Sequence, residues 1–339
     1  MEIVTLKKLA ELLNVSQSSV SKALKDSHEI GQETKNRIKA LAQELNYKPN
    51  ASASSLRRKS SKTIGVVVPL ITNSFYALAI NGIETVAQAK DHHVLIYLTY
   101  ETYKKEVDSI RHLQNGIVDG VLLSISRGTT DYEHLRELKS RNIPLVFFDR
   151  VCESMNGPWV TVNNHESGYA ATEHLIKNGC KSVAYLSFAN HLSTTGNRLK
   201  GYLEALKKCD LHLDEELIIE CTNNDEENYK KIKKLLQSKN CPHGIFASIE
   251  RLALITYHVC KELKLKIPND LKIISFSNLE TASLLKPSLS TMTPNAFEIG
   301  RKAAEILFEN IEKKNFKGKL ERITIPASLI ERESSQLLP

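Results

Sequence analysis

The stretch TLKKLAELLNVSQSSVSKALK, residues 5–25, decides how the front of this chain folds. Leu6, Leu9, Ala10 and Leu13 fall at i, i+3, i+4 and i+7, the spacing of one buried helical stripe, and Thr5 stands where a cap belongs. Asn14-Val15-Ser16 makes the turn. Ser16 caps a second helix, Gln17 to about Lys25, whose Val20 and Leu24 point inward while Gln17, Ser18, Ser21, Lys22 and Lys25 stay outside. That outer face offers hydrogen-bonding groups with little bulk, as a helix entering a DNA major groove needs. A third helix, about Glu33 to Asn46, closes a three-helix core through Ile38, Leu41, Ala42 and Leu45.

Directly afterwards comes YKPNASASSLRR, residues 47–58, a small-residue segment carrying one large apolar group, Leu56. Thr5-Leu6 through Val15-Ser16-Gln17-Ser18-Ser19-Val20-Ser21-Lys22, followed by Tyr47-x-Pro49-Asn50-x-x-Ala53-x-x-Leu56, resembles the lactose repressor (LacI/GalR) family of bacterial transcription regulators. Later segments keep the family pattern, so the resemblance covers essentially the whole chain. It implies that Gln17, Ser18 and Lys22 meet base edges, while Thr5, Ser16, Ser21 and Asn50 bind phosphates or neighbouring groups. It also implies that Ala53 and Leu56 lie on a hinge helix that forms on DNA, with two Leu56 side chains wedged into the minor groove. Family members usually have Arg where this chain has Lys22.

Charge supports a polyanion partner for the head alone. Residues 1–62 hold twelve Lys and Arg against six acids, which is six of the seven net positive charges of the 339-residue chain. The cysteines, Cys152, Cys180, Cys209, Cys221, Cys241 and Cys260, contain no Cys-x-x-Cys pair and read as free, mostly buried thiols of a reducing cytoplasm. Neither an export signal nor a membrane span is indicated, and a cytoplasmic protein is expected.

From Ser60 onward, β-branched runs alternate with helical stretches: Ile64–Leu70, Val94–Thr99, Val118–Ile125, Ile143–Phe148, Val183–Phe188, Gly244–Ile249 and Ile273–Phe276. Alternation of this kind predicts parallel sheets covered by helices on both faces. The order runs through once to about residue 161 and starts again, which predicts two similar α/β lobes. The resemblance sharpens this into a periplasmic-binding-protein-like module with a ligand cleft between lobes. The expected division is a helix-turn-helix domain at 1–48, a hinge helix and linker at 49–62, and an effector-binding and dimerisation domain at 63–339. Lobe 1 is expected at about 63–161 and 292–321, and lobe 2 at about 162–291 and 322–339. The closing segment Leu329 to Ser334 matches the family, and no leucine-heptad tail follows, so a dimer is expected.

The commonest α/β enzyme signatures, Gly-x-Ser-x-Gly, Gly-x-x-x-x-Gly-Lys and Gly-x-Gly-x-x-Gly, do not occur. His92-His93 read as solvated loop or edge residues rather than metal ligands, and no cofactor is called for. Ligands of open parallel sheets sit beyond the carboxyl ends of the strands, so the informative residues follow each apolar run. The resemblance points to Asn73 and Phe75 after the first strand, Asp149 in Phe148-Asp149-Arg150, and Arg198. Two plainer readings stay open: Phe75 packs its own helix, and Asp149-Arg150 form an ion pair between lobes. Ser275-Phe276-Ser277-Asn278 departs from the usual Gly-Phe-Asp-Asp, so Ser277 replaces a carboxylate while Asn278 still donates and accepts. Ile249-Glu250 stand where Ser-Asp is usual.

The leading expectation is a transcription regulator, a repressor, that binds a pseudo-palindromic operator as a dimer under control of a small effector, a sugar or derivative. A regulator controlled by a protein partner in place of a small molecule fits the same residues. A solute-binding protein accounts for the body but not the head. A sugar-processing enzyme with an appended DNA domain fits least, for want of any recognisable nucleophile or acid pair.

Overall fold

The structure, a computed structural model, describes residues 4–47, 60–313 and 320–336. It divides into two units, Met1–Ser61 and Lys62–Pro339. The hinge positions Asn50, Ala53 and Leu56 lie outside the described residues.

The head consists of α1 (Leu6–Leu13), α2 (Gln17–Leu24) and α3 (Gln32–Glu44). Thr5 Oγ1 accepts from Lys8 N at 3.2 Å and Ser16 Oγ from Ser19 N at 3.0 Å, so both expected caps form. Between them Asn14 takes a left-handed φ of 52°, which turns the chain sharply from α1 into α2. Leu9, Val20, Ala23 and Ile38 are completely or almost completely buried, with Leu24, Leu41 and Leu45 packed around them. Ala23 joins the inward face beside Val20.

In the body, one round of alternation gives β1 (Thr63–Val68), α4 (Ser74–Ala89), β2 (His93–Leu98), α5 (Tyr103–Leu113), β3 (Gly120–Leu123), α6 (Glu133–Ser140), β4 (Leu145–Phe148) and β5 (Trp159–Val162). A second gives α7 (Asn164–Lys177), β6 (Val183–Phe188), α8 (Ser193–Lys208), β7 (Ile218–Cys221), α9 (Asp225–Leu236), β8 (Gly244–Ala247), α10 (Glu250–Leu263), β9 (Lys272–Phe276) and β10 (Ser290–Pro294). The chain then returns through α11 (Ala296–Glu312), β11 (Arg322–Ile325) and β12 (Ala327–Ile330). Two six-stranded sheets result, ordered β11-β5-β4-β3-β1-β2 and β12-β10-β9-β8-β6-β7. Pairing is parallel except between β10 and β12. Uninterrupted buried runs such as Gly120–Leu123 and Val183–Phe188 are what strands covered on both faces require.

Two lobe boundaries differ from the sequence expectation. The end of β10, residues 292–294, is expected in lobe 1 but pairs with β9 and β12 in the second sheet. Residues 322–325 are expected in lobe 2 but form β11 beside β5 in the first sheet. Pro326 is the physical reason for the second difference: it has no N–H to continue a ladder, so the extended run breaks and its halves join different sheets. The strands at 159–162, 218–221 and 290–294 do not stand out in the sequence, being short and, at β7, half exposed. Asn163 ties two of the lobe crossings together. Its Oδ1 accepts from Ala327 N at 3.0 Å and from Ser167 Oγ at 2.6 Å.

Helices α7 and α8 touch backbone to backbone. A Cβ on Gly168 would collide with the main chain of Arg198, and one on Gly201 with that of His165. Glycine at these positions lets α8 approach closely, which fixes Arg198 at the mouth of the second lobe.

Candidate functional site

On the head, Gln17 and Ser18 are exposed, and Ser21 and Lys22 half exposed, on one side of α2. Thr5 and Ser16 use their side-chain oxygens in capping, which leaves only the remaining hydroxyl capacity for another partner. Lys22 is not free: its Nζ donates to Glu29 Oε2, a partner that no local sequence signal marks. Asp26 accepts from Lys39 Nζ at 2.9 Å and lies 3.5 Å from Lys35 Nζ. The Lys39 hydrogen bond, followed by the charge of Lys35, holds the Asp26 carboxyl below its usual range. Part of the basic charge of the head is thus spent within it.

All six residues expected at the effector site, Asn73, Phe75, Asp149, Arg198, Ser277 and Asn278, line one cleft between the lobes. Asn73 Oδ1 caps α4 by accepting from Phe75 N at 2.9 Å, which turns the Phe75 ring against Tyr76 at 5.4 Å in an edge-on contact. Tyr76 OH donates to Asp149 Oδ2 at 2.8 Å and shares a 3.0 Å bond with Ser124 Oγ. Asp149 holds a left-handed φ of 60°, a strained conformation for a non-glycine residue. Burial raises its carboxyl pKa above the ordinary value against the opposing pull of Arg150 and Arg198. Its Oδ1 accepts nothing from the described residues, an acceptor left for a ligand.

Arg150 does not bridge the lobes. Its Nη1 bonds Glu101 Oε2 at 2.8 Å and Oε1 at 3.0 Å, within lobe 1. Across the cleft, the Arg198 Nε donates to Asn164 Oδ1 at 2.9 Å and its Nη1 to Ser248 O at 2.8 Å. The guanidinium lies 3.7 Å from the centre of the Phe276 ring. Burial lowers its pKa to about 10, so it stays a cation at neutral pH, and Nη2 has no partner among the described residues. Ser277 Oγ donates to Glu250 Oε2 at 2.7 Å and accepts from Leu279 N at 2.9 Å. The carboxylate missing at position 277 is therefore supplied from position 250. Asn278 Nδ2 donates to Pro294 O at 2.7 Å, which leaves its Oδ1 as an acceptor.

Tyr76, Phe188 and Thr194, which the sequence reading misses, also line the cleft. Thr194 sits in the first turn of α8, and the rule that ligands gather at helix starts after strands could have found it. His92 is a further correction: its side chain is buried and its Nε2 lies 3.2 Å from Asp119 Oδ2, a structural pair rather than a solvated loop. The six cysteines are free thiols, four of them buried. Among the described residues no helix is long and apolar enough to cross a membrane.

Ring faces, two guanidinium groups and several unspent acceptors line the cleft, and the head is a helix-turn-helix. Comparison with known proteins agrees. Residues 5–50 match the model for bacterial regulatory proteins of the lacI family, and residues 172–335 that for the periplasmic binding protein-like domain. An HTH-type transcriptional repressor PurR of Vibrio atlanticus (strain LGP32) is 30% identical over 99% of this chain and 100% of its own. A LacI family transcriptional regulator from Enterococcus faecium with bound ribose is 26% identical, with a TM-score of 0.71 over 82% of this chain and 100% of the other. The lac repressor dimer bound to operator shares the fold, with 20% identity and a TM-score of 0.82 over 99% of this chain and 100% of the other. The chain belongs to the lacI family of bacterial regulatory proteins, and it is a DNA-binding transcription regulator.

Proposed function

We propose that this regulator is a cytoplasmic, dimeric repressor that reads a pseudo-palindromic operator and is controlled by a small-molecule effector, a sugar or sugar derivative, in the cleft. The observation that carries the effector reading is the pairing of unspent groups across that cleft. Arg198 Nη2 and Asp149 Oδ1 have no partner among the described residues, and these two residues line the cleft from opposite lobes together with Phe75. Hydroxyls of a sugar both donate and accept, so one molecule satisfies both lobes at once. The names of two relatives support this reading: a repressor in one case, a ribose-bound regulator in the other. On the head, Gln17, Ser18 and Lys22 are the base-reading residues, with Thr5, Ser16, Ser21 and Asn50 on phosphates or neighbouring groups. Ala53 and Leu56 complete the proposed DNA-contacting set.

A ligand that holds the lobes in one arrangement changes the operator affinity, and by linkage the operator changes the ligand affinity by the same factor. The test is a melting screen over mono- and oligosaccharides and their phosphates, repeated with operator selected from genomic fragments. The true effector at a hundred times its Kd stabilises the protein by about 2.7 kcal/mol, and its affinity shifts when operator is present. A tight cleft ligand with no effect on operator binding would sink the sensor reading and leave the DNA-binding role standing.

A further inference from the structure

Three contacts cross between the lobes at the rim of the cleft, and all end on one stretch of lobe 2, residues 188–193. His191 Nε2 lies 2.9 Å from Arg127 O, a bond in which the ring nitrogen donates. The Arg127 guanidinium lies 5.3 Å from the centre of the Phe188 ring. Val151 N donates to Ser193 Oγ at 3.2 Å. Arg127 and Val151 belong to lobe 1, and Phe188, His191 and Ser193 to the end of β6 and the start of α8 in lobe 2.

The lobe 1 side is anchored from below by two carboxylates. Glu101 Oε2 accepts from Arg127 N at 2.8 Å, and the same carboxylate holds Arg150. Glu106, completely buried, accepts from Ser126 N at 2.7 Å and from Thr129 Oγ1 at 2.9 Å, while its other oxygen meets His134 Nε2 at 3.0 Å. A Cβ on Gly128 would already stand 3.0 Å from Glu101 O, so the 126–129 loop lies flat on the segment that supplies Glu101. The loop is therefore placed before the second lobe arrives. On the other side, Ser187 Oγ donates to Asn190 Oδ1, which braces the turn that presents His191.

We propose that the 126–129 loop is a clasp that closes the cleft by gripping the 188–193 segment, and that it is joined to the ligand-facing floor through Arg127, Glu101, Arg150 and Asp149. The connection is continuous: the Arg127 amide on Glu101, Glu101 on Arg150, and Arg150 Nε 4.0 Å from Asp149 Oδ2. A molecule bound at Asp149 thus acts on the same charged chain that sets the height of the clasp. The part of the clasp that touches lobe 2 is a main-chain oxygen and a cation over a ring, contacts weak enough to open without unfolding either lobe. The link to ligand binding rests on the cleft being the effector site; the clasp itself does not.

The experiment needs no ligand. Hydrogen exchange of the full-length protein is followed by mass spectrometry over peptides covering 124–131 and 149–153, for wild type, His191→Ala, His191→Gln and the double variant Phe188→Leu/His191→Ala. The clasp predicts exchange at 149–153 roughly tenfold faster in His191→Ala and faster again in the double variant, although neither change touches Val151. The glutamine variant, which keeps a donor, restores most of the protection. The strands β1 and β3 keep wild-type exchange, which separates opening from unfolding. Wild-type exchange at 149–153 in the double variant overturns the clasp while leaving the effector reading as it stands. Opening in the variants together with a sugar screen that finds nothing keeps the clasp and removes the effector.

Discussion

The two working surfaces of this protein are built in opposite ways. The reading face of the head is contiguous in sequence and wet: Gln17, Ser18, Ser21 and Lys22 sit on one eight-residue helix and stand partly or fully in water. The cleft is scattered in sequence and more deeply set: Asp149, Arg198 and Ser277 are buried and Asn73 and Glu250 half buried, gathered from the segments that follow five different strands. Each surface has a cation held by a glutamate. Lys22 and Glu29 have side chains 44% and 53% exposed, whereas Arg150 and Glu101 have 13% and 8%. Water screens the first pair and not the second, so the same chemistry is weak on the head and strong in the body. Substitutions should separate the two surfaces by size of effect.

The largest effect is expected at Glu101. Burial, the largest single influence on its carboxyl, pushes the pKa up, but Arg150 and the Arg127 amide together outweigh it and the net shift is downward. A carboxylate with a folded-state pKa below the unfolded one contributes stability that is fully present above the ordinary value near 4.5 and is lost as pH falls through the folded value. Glu101→Gln leaves Arg150 buried without its partner, and urea unfolding at pH 7 should show a loss of about 3 kcal/mol. The difference from wild type should shrink as the pH is taken below 4.5. A difference that stays constant with pH would mean that shape, not charge, is what Glu101 provides.

Next in size is Arg198. Removing it deletes the donors to Asn164 and Ser248 and the cation over Phe276, and with them the one guanidinium nitrogen left for a ligand. Arg198→Ala should weaken effector binding about 100-fold, or about 2.8 kcal/mol, by calorimetry with whichever sugar the melting screen identifies. Operator binding without effector should be unchanged. Equal effector affinity in both proteins would return Arg198 to a purely structural role.

The contrast also explains what the sequence could tell. Helix caps, the turn at Asn14 and the apolar stripe are local features, so α1 to α3 were legible to within two residues. The strand-end rule says where to look and the family resemblance picked out residues there together with Arg198 inside a helix; all six candidates share one cleft. Partnership was not legible. Nothing in Phe148-Asp149-Arg150 says that Arg150 turns back to Glu101 within its own lobe, or that Glu250 replaces the carboxylate absent at Ser277. Those pairings are set by packing between segments far apart in the chain. The lobe assignment failed at Arg322–Ile325 because a single proline switches sheets, and β-propensity is the same on either side of it.

The smallest effects are expected on the head, where Lys22 and Glu29 test the exposed pair from both ends. Lys22→Ala should cost about 2 kcal/mol on the selected operator and much less on random DNA, since a contact to a base edge discriminates while one to a phosphate does not. Equal losses on both would place Lys22 on the backbone. Glu29→Gln acts in the other direction and by less. An exposed ion pair contributes under about 1 kcal/mol, so Lys22 is released at little cost to the fold, and the head loses one negative charge that DNA would repel. Affinity for random DNA should rise a few-fold at low salt, with the gain fading as salt screens it. Affinity for the operator should rise less, because a lysine without its glutamate is a mobile point charge that must be ordered again on the base. The ratio of operator to random affinity should therefore fall. If that ratio instead rises, Glu29 merely blocks Lys22, and the pair takes no part in orienting it toward DNA.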